Sequence, residues 1–105
     1  MTSANRLRCA TLVFLAAATA PAEALEATTG DLYKACVSAS DVGAAYCLGF
    51  VTGVWFNMSC TAEGTVTSDV LSQTFKKWAM VHPEKWRDRA GVGVVKAIKS
   101  TWSCQ

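Results

Sequence analysis

Apolar residues recur every three or four positions along most of the chain after residue 28, a spacing typical of helices rather than strands. The first predicted helix begins near Thr29, which can cap it, and Ser40-Asp41 supplies a break and a new N-cap. The second helix runs from about Val42 to Phe56 and is apolar nearly all round. We therefore expect this second helix to be the central, most buried element.

Two further helices are predicted in the second half of the chain. The third starts after Thr67, which serves as its N-cap, and Pro83 ends it. Pro83 is also well placed as the first residue of a fourth helix, because its missing N–H costs nothing there. One face of that helix would carry Trp86, Ala90, Val94, Ala97 and Ile98. The pattern predicts an all-α, small four-helix bundle-like domain.

Glycines occur in pairs within the second and fourth predicted helices. Gly49 and Gly53 are four residues apart, and Gly91 and Gly93 follow later. Each glycine costs about 1 kcal/mol relative to alanine in a helix interior, so we expect tight packing against a neighbour at these positions. A membrane-spanning second helix is the competing interpretation, but its strongly apolar part is about 15 residues, short of the roughly 20 that a bilayer requires.

The first 24 residues have the layout of a secretory signal peptide. Arg6 and Arg8 precede the uncharged stretch 9–20, and Ala22-Glu23-Ala24 resembles a cleavage site. We predict that residues 1–24 are a cleaved signal peptide and that residues 25–105 form one exported domain. Its formal charge is +1, against +2 for the whole chain, which argues against a nucleic-acid partner.

Four cysteines remain after removal of the leader: Cys36, Cys47, Cys60 and Cys104. In an exported chain of this length, an even number of cysteines predicts two disulfides. These bridges would stabilise a domain whose core is too small to be firmly stable alone. Zinc is the competing interpretation, but the intervening stretches of ten, twelve and forty-three residues are not typical of zinc sites. We propose the pairs Cys36–Cys47 and Cys60–Cys104, although four cysteines allow three pairings.

Catalytic chemistry is not indicated by the sequence. His82 is the single histidine, no G-x-S-x-G motif is present, and the acidic residues are scattered. Gly91-Val92-Gly93 lacks the third glycine of a dinucleotide-binding loop. We predict no catalytic, metal-binding or cofactor-binding residues, and interpret His82 as a surface or capping residue.

Four stretches of the chain together resemble a known family. They are Gly30-Asp31-Leu32 with Cys36 shortly behind, the segment 47–54 (CLGFVTGV), Cys60 ahead of the segment 66–71 (VTSDVL), and the turn 81–86 (VHPEKW). In this order, and with these four cysteines, the chain resembles the Rap/Tai family of periplasmic immunity proteins, which neutralise amidase effectors of type VI secretion.

The resemblance implies a periplasmic inhibitor, not an enzyme, whose partner is a cognate secreted amidase effector. Members of the family are often dimeric, so the resemblance leaves a homodimer and a monomer both open. No cofactor, nucleic acid or membrane partner is implied. The loop from Asn57 to Thr65 is polar, uncharged up to Glu63 and anchored at Cys60. We expect it to contact the effector through Asn57, Met58, Glu63 and Thr65, unless it is a plain connector.

Two other functional classes fit the same sequence. One is a small periplasmic chaperone of the acid-stress type, which is also short, helical, exported and disulfide-bonded. The other is a helical envelope protein without a toxin partner. Exposure of apolar surface at low pH would identify the first, and the absence of an amidase-like neighbouring gene would favour the second.

Overall fold

The computed structural model describes residues 27–105, so the predicted leader, residues 1–24, lies outside the described residues. Four α-helices follow one another in this part of the chain: α1 (Thr29–Val37), α2 (Asp41–Phe56), α3 (Ser68–Val81) and α4 (Ala90–Lys99). A 3-10 turn (Pro83–Lys85) lies between α3 and α4, and two short strands, β1 (Cys60–Thr61) and β2 (Ser103–Cys104), pair antiparallel. The predicted all-α, four-helix fold is confirmed.

Capping residues fix where the first three helices begin. The Ser40 side chain accepts a hydrogen bond from the backbone N–H of Gly43, and that of Thr67 accepts one from Val70. These two caps are the ones that the sequence predicts. Helix α1 instead takes its cap from Thr28, one residue before the predicted Thr29.

The core lies where α1, α3 and α4 meet one side of α2. Its largest fully buried side chains are Phe75, Leu32, Leu71, Ile98, Val51, Val94, Thr29 and Cys47. Trp86 closes one side: its indole N–H donates to the carbonyl of Ala79 at 2.8 Å, and its ring packs 5.1 Å from that of Tyr33. The buried side chains of α1, α3 and α4 and those on one side of α2 therefore form one continuous core.

The prediction that α2 is the most buried helix is wrong. Only Cys47 and Val51 of its residues are buried, while Val42 and Phe56 are 80% and 79% exposed. A helix that is apolar all round does not specify which side faces its neighbours, and here only the side of α2 that carries Cys47 and Val51 is buried. None of the helices within residues 27–105 is both long and apolar enough to cross a bilayer.

The fourth helix begins at Ala90 and not at Pro83. After the 3-10 turn, the chain pairs with the residues that precede α1. The N–H of Thr29 donates to the carbonyl of Asp88 at 2.7 Å, and that of Ala90 donates to Ala27 at 3.0 Å. These long-range hydrogen bonds replace the local bonds that a helix from Pro83 would have made.

The four paired glycines of α2 and α4, namely Gly49, Gly53, Gly91 and Gly93, have different surroundings. A Cβ atom on Gly93 would overlap the side chain of Thr29, lying 2.6 Å from its Cγ2, so the expected tight packing is confirmed there. At Gly49, Gly53 and Gly91, no described atom lies within 4 Å of such a Cβ, so the expectation is wrong at these positions. Gly49 and Gly53 of α2 are exposed to solvent.

Candidate partner-binding surface

The loop between α2 and α3 is anchored at its start by the C-terminal segment. Cys60 and Cys104 are disulfide-bonded and are also paired residues of the two strands. The N–H of Gln105 donates to the carbonyl of Ser59 at 2.8 Å, which extends the pairing by one bond. This end of the loop is therefore fixed by both covalent and backbone contacts.

Aromatic packing holds the C-terminal segment against the bundle. The indole of Trp102 meets that of Trp55 edge to face, with ring centroids 5.1 Å apart. Because Trp55 belongs to the last turn of α2, this contact positions β2, and through it the loop, relative to the end of α2.

The second disulfide joins Cys36 of α1 to Cys47 of α2, so both predicted pairs are present.

The far end of the loop is exposed. Glu63, Gly64 and Thr65 all face solvent, and Gly64 has φ +73°, a conformation that side-chain-bearing residues rarely adopt. Glu63 carries the only charge between Asp41 and Asp69 in the sequence. The loop therefore presents a single carboxylate at an exposed turn.

The other two predicted contact residues lie at the start of the loop. Asn57 ends α2, and its side-chain amide donates to the carbonyl of Gly53 at 2.8 Å. Met58 is half-buried and packs against the core. Glu63 and Thr65 are thus free to meet a partner directly, whereas Asn57 and Met58 also serve the fold.

An apolar groove, which the sequence does not reveal, begins beside Asn57 and Met58. It has a volume of about 530 Å³ and is lined by Gly49, Phe50, Gly53, Val54, Asn57, Met58, Gly91 and Val95. Three of these residues are the glycines that have open space where a side chain would be. Their spacing led us to expect close packing, but the space beside each of the three is open.

His82 serves as a helix terminus, as predicted. It follows the last residue of α3, its Nδ1 lies 2.7 Å from the carbonyl oxygen of Trp78, and its ring stacks on the Trp78 indole. Within residues 27–105, no three His, Cys, Asp or Glu side chains cluster closely enough to hold a metal ion.

The perturbed carboxylates lie away from the loop. Hydrogen bonds from the backbone N–H and the side chain of Thr28 lower the pKa of Asp31 below its usual range. A hydrogen bond from Lys96, 2.9 Å away, lowers the pKa of Asp88. Asp31 completes the N-terminal cap of α1, and Asp88 forms an ion pair with Lys96 of α4. The lowered pKa values of both carboxylates therefore come from contacts that stabilise the fold.

These features define a small helical domain with two disulfides. Two parts of its surface are open to a partner: the loop between α2 and α3, which is anchored at Cys60, and the apolar groove beside it. The model of one protein family, the Rap1a immunity proteins, matches residues 28–104. The chain therefore belongs to the Rap1a immunity protein family, as its resemblance to the Rap/Tai proteins implied. No curated protein and no solved structure matches it.

Membership of this family indicates an immunity protein that binds a cognate secreted effector, and such proteins are generally not enzymes. The two disulfides and the family together indicate an extracytoplasmic protein.

Proposed function

We propose that this protein is a periplasmic immunity protein that binds and inhibits a peptidoglycan amidase delivered by type VI secretion. The observation that carries the proposal is the family match, which spans all four helices and all four paired cysteines. The predicted leader and the two disulfides support action in the periplasm, where disulfides persist and where peptidoglycan is accessible to an amidase. The immunity assignment favours this function over an acid-stress chaperone or an envelope protein without a toxin partner.

Inhibition by a protein of this size requires a surface that is already ordered. The strand pairing and the Cys60–Cys104 bridge hold the start of the loop in place before any partner binds. Because less conformational entropy is lost on association, a preordered loop binds more tightly than a flexible one. We therefore place the effector-contacting surface at the loop, with Glu63 and Thr65 as direct contacts and Asn57 and Met58 at its base.

Protection of living cells tests the function. Genes adjacent to this one are searched for an amidase; the amidase so found is directed to the periplasm, with and without the full-length protein, and lysis is followed by optical density. We expect lysis only when the protein is absent. A variant beginning at Leu25, without the leader, is the matched control and should not protect. Lysis of equal extent in all three strains would contradict the proposal.

The loop surface has its own test with the purified pair. Glu63→Arg combined with Thr65→Arg should weaken effector binding by calorimetry, because both side chains are exposed. Glu84→Arg, an exposed charge reversal on the 3-10 turn, is the matched control and should bind normally. Unchanged affinity of the loop variant would show that the contact surface lies elsewhere.

The family resemblance also leaves self-association open. We include a homodimer in the proposed function, as one way in which a small inhibitor can enlarge the surface that it presents to an effector.

A further inference from the structure

The apolar groove between α2 and α4 continues across α4 to two lysines. A second depression, of about 370 Å³, shares Gly91 and Val95 with the groove, so the two adjoin. Its other lining residues are Val92, Lys96 and Lys99. We refer to the groove and this depression together as the α2–α4 groove. Its α2 side is therefore uncharged, whereas its α4 side carries two ammonium groups.

The two lysines differ in their partners within the domain. Lys96 donates to the carboxylate of Asp88 at 2.9 Å, whereas Lys99 forms no salt bridge within residues 27–105. None of the residues that line the α2–α4 groove is acidic. The positive charge of Lys99 therefore has no counterpart in the groove itself. Because complementary charges direct specific association, a segment that fits the groove is expected to carry a carboxylate beside Lys99.

Three glycines leave space for the side chains of such a segment. Gly49, Gly53 and Gly91 all line the groove, and no described atom lies within 4 Å of a Cβ built on any of them. Gly49 and Gly53 are four residues apart, which is about 6 Å along the helix axis. Side chains at positions i and i+4 of another helix are separated by a similar distance. An amphipathic helix can therefore place two successive apolar side chains over these glycines.

The groove is open along its length, which favours a protein segment over a small molecule. Gly49, Gly53 and Lys99 are exposed, and the half-buried side chains of Phe50 and Val54 contribute to the apolar floor. Sites for small ligands usually bury most of the ligand surface. A helix laid in a groove buries only its apolar face, so an open groove suits it better.

We propose that the α2–α4 groove binds an amphipathic, acidic helix of the cognate effector. Apolar side chains of that helix lie over Gly49 and Gly53, and one of its carboxylates pairs with Lys99. The groove begins beside Asn57 and Met58, where the loop that we assign to effector contact also begins. One effector molecule can therefore contact the loop and the groove together. The inference rests on the proposed function, since it assigns a second contact to the same partner.

Calorimetry with the amidase found beside this gene measures the contact. Gly53→Leu fills the groove with a side chain whose Cβ meets no described atom, and should weaken binding by about thirtyfold, the size of a hot-spot loss. Lys99→Glu should weaken binding by about tenfold at low salt and by less at high salt, because an exposed ion pair is screened. Gln73→Leu and Lys77→Glu, at exposed positions of α3, are the matched controls and should bind normally.

A photo-crosslink identifies the occupant of the groove. The crosslinking residue p-benzoylphenylalanine replaces Val92, which is exposed at the edge of the groove, and replaces Gln73 in the control. We expect the first variant to crosslink to the amidase, and mass spectrometry to place the link in a helix that carries acidic residues. Crosslinks mainly to phospholipid, to a second copy of this chain, or to a basic segment of the amidase would overturn the proposal.

The results separate this inference from the proposed function, provided that circular dichroism shows each variant to be folded. Gly53→Leu and Lys99→Glu variants that bind the amidase as tightly as the wild-type protein would contradict the groove contact and leave the immunity function intact. A wild-type protein that does not bind the amidase at all would contradict the proposed function, and the assignment of the groove to that effector with it.

Discussion

Substitution of Gly93 by alanine tests the tightest contact in the bundle. The added Cβ would overlap Thr29, lying 2.6 Å from Cγ2 and 2.9 Å from Cβ of that residue. Thr29 cannot move aside readily, because it is fully buried, its hydroxyl donates to the carbonyl of Arg89 at 3.2 Å, and its N–H donates to that of Asp88 at 2.7 Å. Helix α4 and the start of α1 would have to separate slightly.

The magnitude follows from two opposing effects. Overpacking of a filled core costs about 1–3 kcal/mol, whereas replacing glycine by alanine within a helix gains up to about 1 kcal/mol. We expect a net loss of about 1–2 kcal/mol in the free energy of unfolding for Gly93→Ala. For a domain of this size, that loss corresponds to a fall of about 5–15 °C in Tm.

Urea unfolding followed by far-UV circular dichroism measures the effect. Gly91→Ala is the matched control, since it lies two residues away on the same helix and its Cβ would enter open space. We expect that control to be as stable as the wild-type protein or slightly more so. Combining Gly93→Ala with Thr29→Ala removes the overlapping Oγ1 and Cγ2 atoms, so the glycine substitution should cost less in that background. A Gly93→Ala variant as stable as Gly91→Ala would refute the reasoning.

Three further predictions concern the bridge, the acid response and a helix cap. Removal of the Cys60–Cys104 disulfide by double alanine substitution should lower the free energy of unfolding by about 4 kcal/mol, because the bridge closes a long loop; a loss under about 1 kcal/mol in urea unfolding would contradict this. The pKa of Asp31 is lowered by its hydrogen bonds with Thr28, so the unfolded chain takes up this proton more readily than the folded one. The stability that it contributes is complete above about pH 4 and is lost as the pH falls through the lowered pKa. Asp31→Asn should therefore flatten the acid limb of a stability–pH series, and an unchanged slope would exclude this contribution. Thr67→Ala should destabilise the protein by about 1 kcal/mol through loss of the α3 cap, while Thr67→Ser should leave it near the wild-type value in the same measurement.

Local features of the sequence predicted most of the fold. Ser40 and Thr67 cap α2 and α3 because short polar side chains at those positions satisfy free backbone N–H groups. Pro83 ends the helical run because it lacks the N–H that a helix interior needs. An even number of cysteines in a short chain with a predicted leader indicated two disulfides, and both proposed pairs are present. The family resemblance added the function, which no single residue carries.

The candidate partner-binding surface could be predicted from the sequence only in part. The loop from Asn57 to Thr65 was identifiable from its polarity and its cysteine, but the groove beside it was not. Two helices that are distant in the sequence form that groove, with Gly91 and Val95 of α4 facing Gly49 and Gly53 of α2. The spacing of Gly49 and Gly53 led us to expect close packing there, whereas the structure leaves the space beside both glycines open.

The sequence by itself determined the number of helices and three of their starting regions, because capping and proline geometry act over a few residues. Its even number of cysteines also indicated two disulfides. Only the tertiary structure decided which side of α2 is buried, since an all-apolar helix can pack on any side. It also decided that the residues after Trp86 pair with the start of α1 instead of extending α4, because those hydrogen bonds join segments about 60 positions apart.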